Sequence, residues 1–294
     1  MKVNELFAHK TVFSFEVYPA KKTAPIQVVY DAVDALAGLG PDFISVTYGA
    51  GGGAANASAT IEIASLIENT YRLPAVAHLP GINLTRADLG SLLTRLAAHR
   101  LENVLALRGD VTPGAKPTGE FAHASEVVEF IGQTVPDYFN IIGACYPEVH
   151  PEAASAQEDL RWLLHKIKAG TGQLATQLFF DNQHFYDFCE RARNAGITVP
   201  IQAGIMPVVN ARQAARMAEL CGTNMPPAFA ALVKRYGAND AEMRAAGIDY
   251  AITQILDLLE HGVDGIHLYT MNDPATAAAI VTHIKPLTDR NITL

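Results

Sequence analysis

Apolar residues fall into two alternating rhythms along the chain. Short, nearly continuous apolar runs recur at Val12–Tyr18, Phe43–Tyr48, Ala75–Leu79, Val104–Leu107, Ile141–Tyr146, Leu174–Phe180, Ile201–Met206 and Ile266–Tyr269. Unbroken hydrophobicity of this kind predicts strands covered on both faces, as in a parallel sheet. Between the runs, apolar positions shift to a spacing of three or four, as in Ile26, Val29, Val33, Leu36 and Leu39. Leu160, Leu163, Leu164 and Ile167 repeat that spacing, as do Ile248, Ile252, Ile255 and Leu259, so each segment predicts an amphipathic helix. Strand starts lie about 30 residues apart through the first seven, the length of a βα repeat. The stretch from Pro207 to Gly265 is longer and predicts extra helices before the last strand. Eight such units in 294 residues predict an α/β fold, a closed (β/α)8 TIM barrel. No linker rich in Pro, Gly and Ser divides the chain, so residues 1–294 are read as a single catalytic domain.

Composition narrows the function. With 22 basic against 30 acidic residues the net charge is −8, and no Lys/Arg cluster offers a footing for nucleic acid. An anionic ligand would need a local cation, because the overall field repels it. Cys145, Cys189 and Cys221 stand far apart, which argues against a zinc ribbon, a disulfide scaffold and an iron–sulfur centre. Neither a signal sequence nor a membrane-length apolar run is apparent, so a cytoplasmic protein is expected.

Barrel enzymes carry their chemistry at the C-terminal ends of the strands, so the residues there are the candidates. They are Glu16 in the first run, Thr47-Tyr48 with the Gly49–Gly53 loop after the second, and His78 in the third. Arg108-Gly109-Asp110 end the fourth, Tyr146 to His150 the fifth, and Gln177 lies in the sixth. A carboxyl within an apolar strand would have a raised pKa, which suits a general acid, although Glu16 could also simply pair with a base. Asp110 reads equally as a turn former, His78 as a satisfied core histidine, and Gln177 as a core amide. The glycine loop lacks a P-loop ending, no GxGxxG fingerprint follows a strand, and no metal-ligand spacing occurs among the ten histidines.

The same strand ends resemble those of the methylenetetrahydrofolate reductases. The matching segments are Phe15-Glu16 with Tyr18-Pro19, Ser45–Ala50, Ala106–Asp110, Tyr146–Pro151, Thr176–Asp181, Gly204–Pro207 and His267–Asn272, in order along nearly the whole chain. The resemblance implies FAD-dependent reduction of 5,10-methylenetetrahydrofolate to 5-methyltetrahydrofolate, serving methionine biosynthesis. The flavin would be reduced by NADH or NADPH in a ping-pong cycle. FAD would be held by Thr47, Tyr48, His78, Arg108, Gly109, Asp110, His123, Ala124, Tyr146 and His150. Asp159, Trp162, His165 and Lys166 would join them from the helix after strand five. Glu16 would be the general acid, Asp110 would lie beside flavin and folate, and Gln177 and Gln213 would position the substrate. Some relatives carry Asn at the place of Trp162, Arg at that of His165 and Arg at that of Asp273. Homo-oligomers are common in the family, and some members receive electrons from a partner subunit. A flavin- or folate-binding subunit without turnover, and a metal-dependent barrel lyase, are the readings from other classes.

Overall fold

The computed structural model describes residues 1–20, 25–49, 54–111 and 117–288. Eight parallel strands close into a barrel in sequential order, each bonded to the next and the last to the first. They are β1 (Val12–Val17), β2 (Phe43–Val46), β3 (Ala75–Pro80), β4 (Asn103–Leu107), β5 (Asn140–Cys145), β6 (Gln173–Thr176), β7 (Ile201–Ile205) and β8 (Gly265–Tyr269). The outer ring begins with α1 (Gln27–Ala37), α2 (Ala54–Thr70), α3 (Arg86–Ala98), α4 (Ala124–Thr134), α5 (Ala156–Lys168) and α6 (Asn182–Asn194). Three helices, α7 (Ala211–Cys221), α8 (Pro227–Tyr236) and α9 (Asp240–Glu260), fill the long segment before β8, and α10 (Pro274–Thr288) follows it. Among the described residues no helix is long and apolar enough to cross a membrane.

Alternation along each strand sorts its side chains between two environments. Phe13, Phe15 and Val17 of β1 point outward into the large core beneath the helices, where Val29, Val33 and Leu36 of α1 meet them. The other parity faces the barrel axis. At its lower end Val12, Phe43, Val76, Leu105 and Ile142 form an apolar layer, closed from below by a short 3-10 helix, Val3–Ala8. Above that layer the interior turns polar, with Ser14, Ser45, His78, Gln202 and His267 all buried. A polar upper interior that opens only at the strand C-termini is what positions the site.

The sixth strand is shorter than its apolar run suggests. It ends at Thr176, and Gln177 makes its last ladder bond, N–H to the Cys145 carbonyl at 2.7 Å. Phe179 and Phe180 continue the apolar run for a different reason, burial against the core and against Phe229 of α8 respectively.

Candidate active site

Two groups of polar side chains converge on the open end. The first occupies a cavity of about 340 Å3 over the end of β5, between α4 and α5. Local sequence fixes both helix starts. The Glu126 carboxylate accepts the N–H groups of Ala122 and His123 at 2.6 and 2.9 Å, and the Ser155 hydroxyl caps Glu158 N–H. Arg108, Lys166 and Arg191 supply the cavity's cations, with Tyr146, His150 and Asp159 also lining it. Lys166 donates to the Ala144 carbonyl at 2.6 Å, and burial pulls its pKa below the ordinary lysine value. Burial likewise lowers His150, whose Nδ1 accepts from Glu152 N–H at 3.1 Å, and pushes the Tyr146 hydroxyl up to about 12. The outer wall is aromatic. His123 stacks on Trp162 with ring centres 4.5 Å apart and an interplanar angle of 16°, and Ala124 lies alongside.

The second group sits in the mouth of the barrel around Glu16. Its Oε2 lies 3.4 Å from His78 Nε2 and 3.7 Å from His267 Nε2, and its side chain keeps 19% exposure. The expected rise in acid pKa is not found. Burial does push the carboxyl upward, but the His267 N–H and the electrostatic influence of the two imidazoles, His78 and His267, together outweigh it and hold it below the ordinary glutamate value. Glu16 is therefore a carboxylate at neutral pH when no ligand covers it. His78 is driven down by burial more than Glu16 raises it, and its buried Nε2 has no hydrogen-bond partner.

The remaining candidates divide between these groups and the rim. Thr47 N–H closes the ladder onto the Val17 carbonyl at 2.9 Å, and Tyr48 is buried in the core beside it. Ala50 and residues 51–53 of the glycine loop, and residues 112–116 after Asp110, lie outside the described residues. Gly109 adopts φ +87°, and a Cβ there would stand 2.8 Å from Pro80, so glycine lets the chain turn tightly into exposed Asp110. Gln177 and Gln213 each use the amide oxygen on nearby backbone, Leu178 N–H at 2.8 Å and Val209 N–H at 3.1 Å. Each keeps its NH2 end for another partner. His165 does not join the cavity; it lies on the far side of Trp162, 3.4 Å from Glu129. Asp273 pairs with Arg244 at 2.7 Å and caps α10 through Thr276.

Sequence reasoning passed over Glu152, which grips the Arg108 guanidinium through both oxygens, and gave no role to His267. His267 shares the inward parity of Ser14 and pairs with it in register, a signal available once the strands are aligned. Among the described residues no three His, Cys, Asp or Glu side chains gather as a metal site.

The family model for methylenetetrahydrofolate reductase matches residues 2–285. The chain belongs to the methylenetetrahydrofolate reductase family. Within it, the chain is 36% identical to the 5,10-methylenetetrahydrofolate reductases of Salmonella typhimurium and Escherichia coli, over 91% of its own length and 88% of theirs. It is 34% identical over 96% of its length to an Arabidopsis thaliana protein named methylenetetrahydrofolate reductase (NADH) 1, and spans 50% of that relative. It thus covers about half the length of the plant relatives it matches. A solved Clostridium thermocellum protein described as binding two copies of 5-methyl-5,6,7,8-tetrahydrofolic acid shares the fold, with a TM-score of 0.66 at 12% identity. That superposition covers 95% of this chain and 96% of the other.

Proposed function

We propose that this family member reduces 5,10-methylenetetrahydrofolate to 5-methyltetrahydrofolate with FAD, the flavin being reduced by NADH or NADPH at the same mouth in alternation with folate. One observation carries the reading: a carboxylate flanked by two histidines opens onto the same rim as a cavity that pairs cations with an aromatic wall. The cavity suits an anionic, flat dinucleotide. Lys166 and Arg108 would meet its phosphates, supplying the local positive charge that a chain of net charge −8 requires. The His123–Trp162 stack offers a face for a ring, and Thr47, Tyr48, His78, Gly109 and Asp110 would line the rest of the cofactor's path. When bound, FAD supplies hydride chemistry, and the protein's part is placement and electrostatics.

Glu16 takes the proton-handling role. A folate stacked over the mouth excludes water from the remaining exposed part of the carboxyl, and burial then favours its protonated form. So loaded, Glu16 donates to a ring nitrogen of the five-membered ring and assists its opening to an electrophilic iminium carbon. The amide NH2 groups of Gln177 and Gln213 would hold the pterin, with exposed Asp110 accepting from it.

The deciding experiment is an absorbance spectrum of the purified protein, followed anaerobically through NADH and then methylenetetrahydrofolate. Flavin bands near ~450 nm that bleach with NADH and return with folate are expected. A flavin inert to NADH and NADPH yet reoxidised by folate would assign the electrons to a partner subunit. A protein that takes up no FAD would refute the reading.

A further inference from the structure

The buried polar layer beneath Glu16 fixes one proton's position. The Gln202 side-chain nitrogen lies 3.0 Å from the Ile266 carbonyl and 2.8 Å from Ser14 Oγ, with the Val12 carbonyl at 3.5 Å. Two backbone acceptors at that end require the NH2 of the amide there, so Gln202 donates to Ser14. Ser14 Oγ, already accepting, turns its own hydrogen to its other neighbour, His267 Nδ1 at 2.7 Å. His267 therefore accepts at Nδ1 and carries its proton on Nε2, which faces Ser45 Oγ at 3.4 Å and Glu16 Oε2 at 3.7 Å. Phe43 stacks against the ring and Tyr269 meets it edge-on, which fixes its plane. The distance to Glu16 is fixed from the other side: Thr270 Oγ1 donates to the Glu16 carbonyl at 2.7 Å, and Asn272 bonds both backbone groups of Tyr18.

We propose that His267, held as its Nε2–H tautomer by the Gln202–Ser14 relay, is the positioning residue that sets the acid strength of Glu16. The inference rests on the folate-reductase reading for its consequence, though not for its geometry. The ionisable groups facing Glu16 are His78 from β3 and His267 and Tyr269 from β8. Tyr269 donates its hydroxyl to the Thr176 carbonyl at 2.6 Å, and burial keeps it neutral. His78 Nε2 is also near the carboxylate, but no hydrogen bond to the ring nitrogen fixes its proton there. Of the two histidines, His267 is the one whose tautomer the Ser14 bond sets, and its Nε2–H faces both Ser45 Oγ at 3.4 Å and the Glu16 carboxylate at 3.7 Å. Such a donor favours the carboxylate, so Glu16 becomes an acid only while substrate covers it and gives up its proton sharply.

The test compares the wild type with His267→Phe, which fills the ring's space without a donor, and His267→Gln, whose amide NH2 reaches close to the Nε2 position. In rapid mixing of the FAD-loaded protein, reoxidation of reduced flavin by methylenetetrahydrofolate falls as pH rises through the Glu16 midpoint. His267→Phe is expected to move that midpoint up by about one unit or more, leaving the rate, two units above the wild-type midpoint, about ten-fold higher relative to its own plateau. His267→Gln is expected to return it toward wild type. The Glu16 carboxyl carbon, titrated by 13C NMR in the intact protein, reads the same shift without turnover. Should His267→Phe fail to fold, Ser14→Ala releases the Nδ1 lock and is expected to shift the midpoint in the same direction. An unmoved Glu16 midpoint overturns the proposal even where folate turnover is normal. A shifted carbon midpoint in a protein that cannot turn over folate upholds the relay and defeats the functional reading alone.

Discussion

Replacing Lys166 with Met separates ligand binding from stability, because the structure gives the two effects opposite signs. Lys166 Nζ reaches one acceptor, the Ala144 carbonyl, and among the described residues no carboxylate lies within ion-pair distance of it. A half-buried ammonium with no carboxylate counter-ion in contact, Asp159 acting on it only at longer range, weakens the ligand-free protein, since a desolvated charge is unfavourable until paired. An anionic cofactor in the cavity provides that counter-ion. Charge-assisted hydrogen bonds contribute about 1.5–3 kcal/mol, so Lys166→Met is expected to weaken FAD binding roughly 10- to 150-fold. Met keeps the apolar stem, so the melting temperature of the ligand-free protein is expected to hold or rise. The pH dependence follows from the lowered lysine pKa. The unfolded chain binds the proton more readily, so the wild type gains stability as pH rises from the native value toward roughly 10.4. The melting difference between the two proteins should narrow over that window. FAD titration and thermal melting of the apoprotein check both arms. Wild-type FAD affinity in the variant, or an apoprotein melting several degrees lower, would refute the reasoning.

Further outcomes follow from single contacts. Glu16→Gln is expected to preserve flavin reduction by NADH while slowing folate-driven reoxidation about 100-fold or more in stopped flow. Because the native Glu16 pKa lies below its ordinary value, wild type also holds a stability increment above pH ~4.3 that fades as pH falls through the native value; acid titration of wild type against Glu16→Gln measures it. Trp162 is the one tryptophan in the chain and lines the cavity, so FAD should quench most of the intrinsic emission. FAD bound with undiminished emission would place it elsewhere. At Gly204 an added Cβ would stand 2.3 Å from the Thr176 carbonyl and 2.8 Å from the Tyr269 ring. Gly204→Ala is expected to lower stability by about 1–3 kcal/mol in urea denaturation.

The barrel was legible because strands buried on both faces leave unbroken apolar runs and their helices leave a three-to-four spacing. The end of β6 was not, since Phe179 and Phe180 are apolar for the sake of helix packing rather than strand packing. One wall of the cavity was legible from spacing, which puts Asp159, Trp162 and Lys166 on one face of a helix; Arg108, His123, Tyr146 and His150 come from other elements and were expected there only from the family resemblance. His165 shares that helix yet points to the other side of Trp162, a difference set by a rotation along the helix. The charge of Glu16 was misjudged for a plainer reason. Burial can be guessed from one strand, whereas the two histidines that oppose it come from β3 and β8.

The pairing of β1 with β8 also has a temporal meaning. Ser14 and His267 are 253 positions apart, yet one hydrogen bond joins them. A ribosome releases Glu16 early and His78 of β3 soon after, but His267 cannot face the carboxylate until the last strand has emerged and the cylinder has shut. Contacts of such long sequence separation form late, after the entropy of a long loop has been overcome. Partly made chains would carry Glu16 and His78 without His267. The full set of side chains around Glu16 would therefore assemble only once synthesis has run to β8.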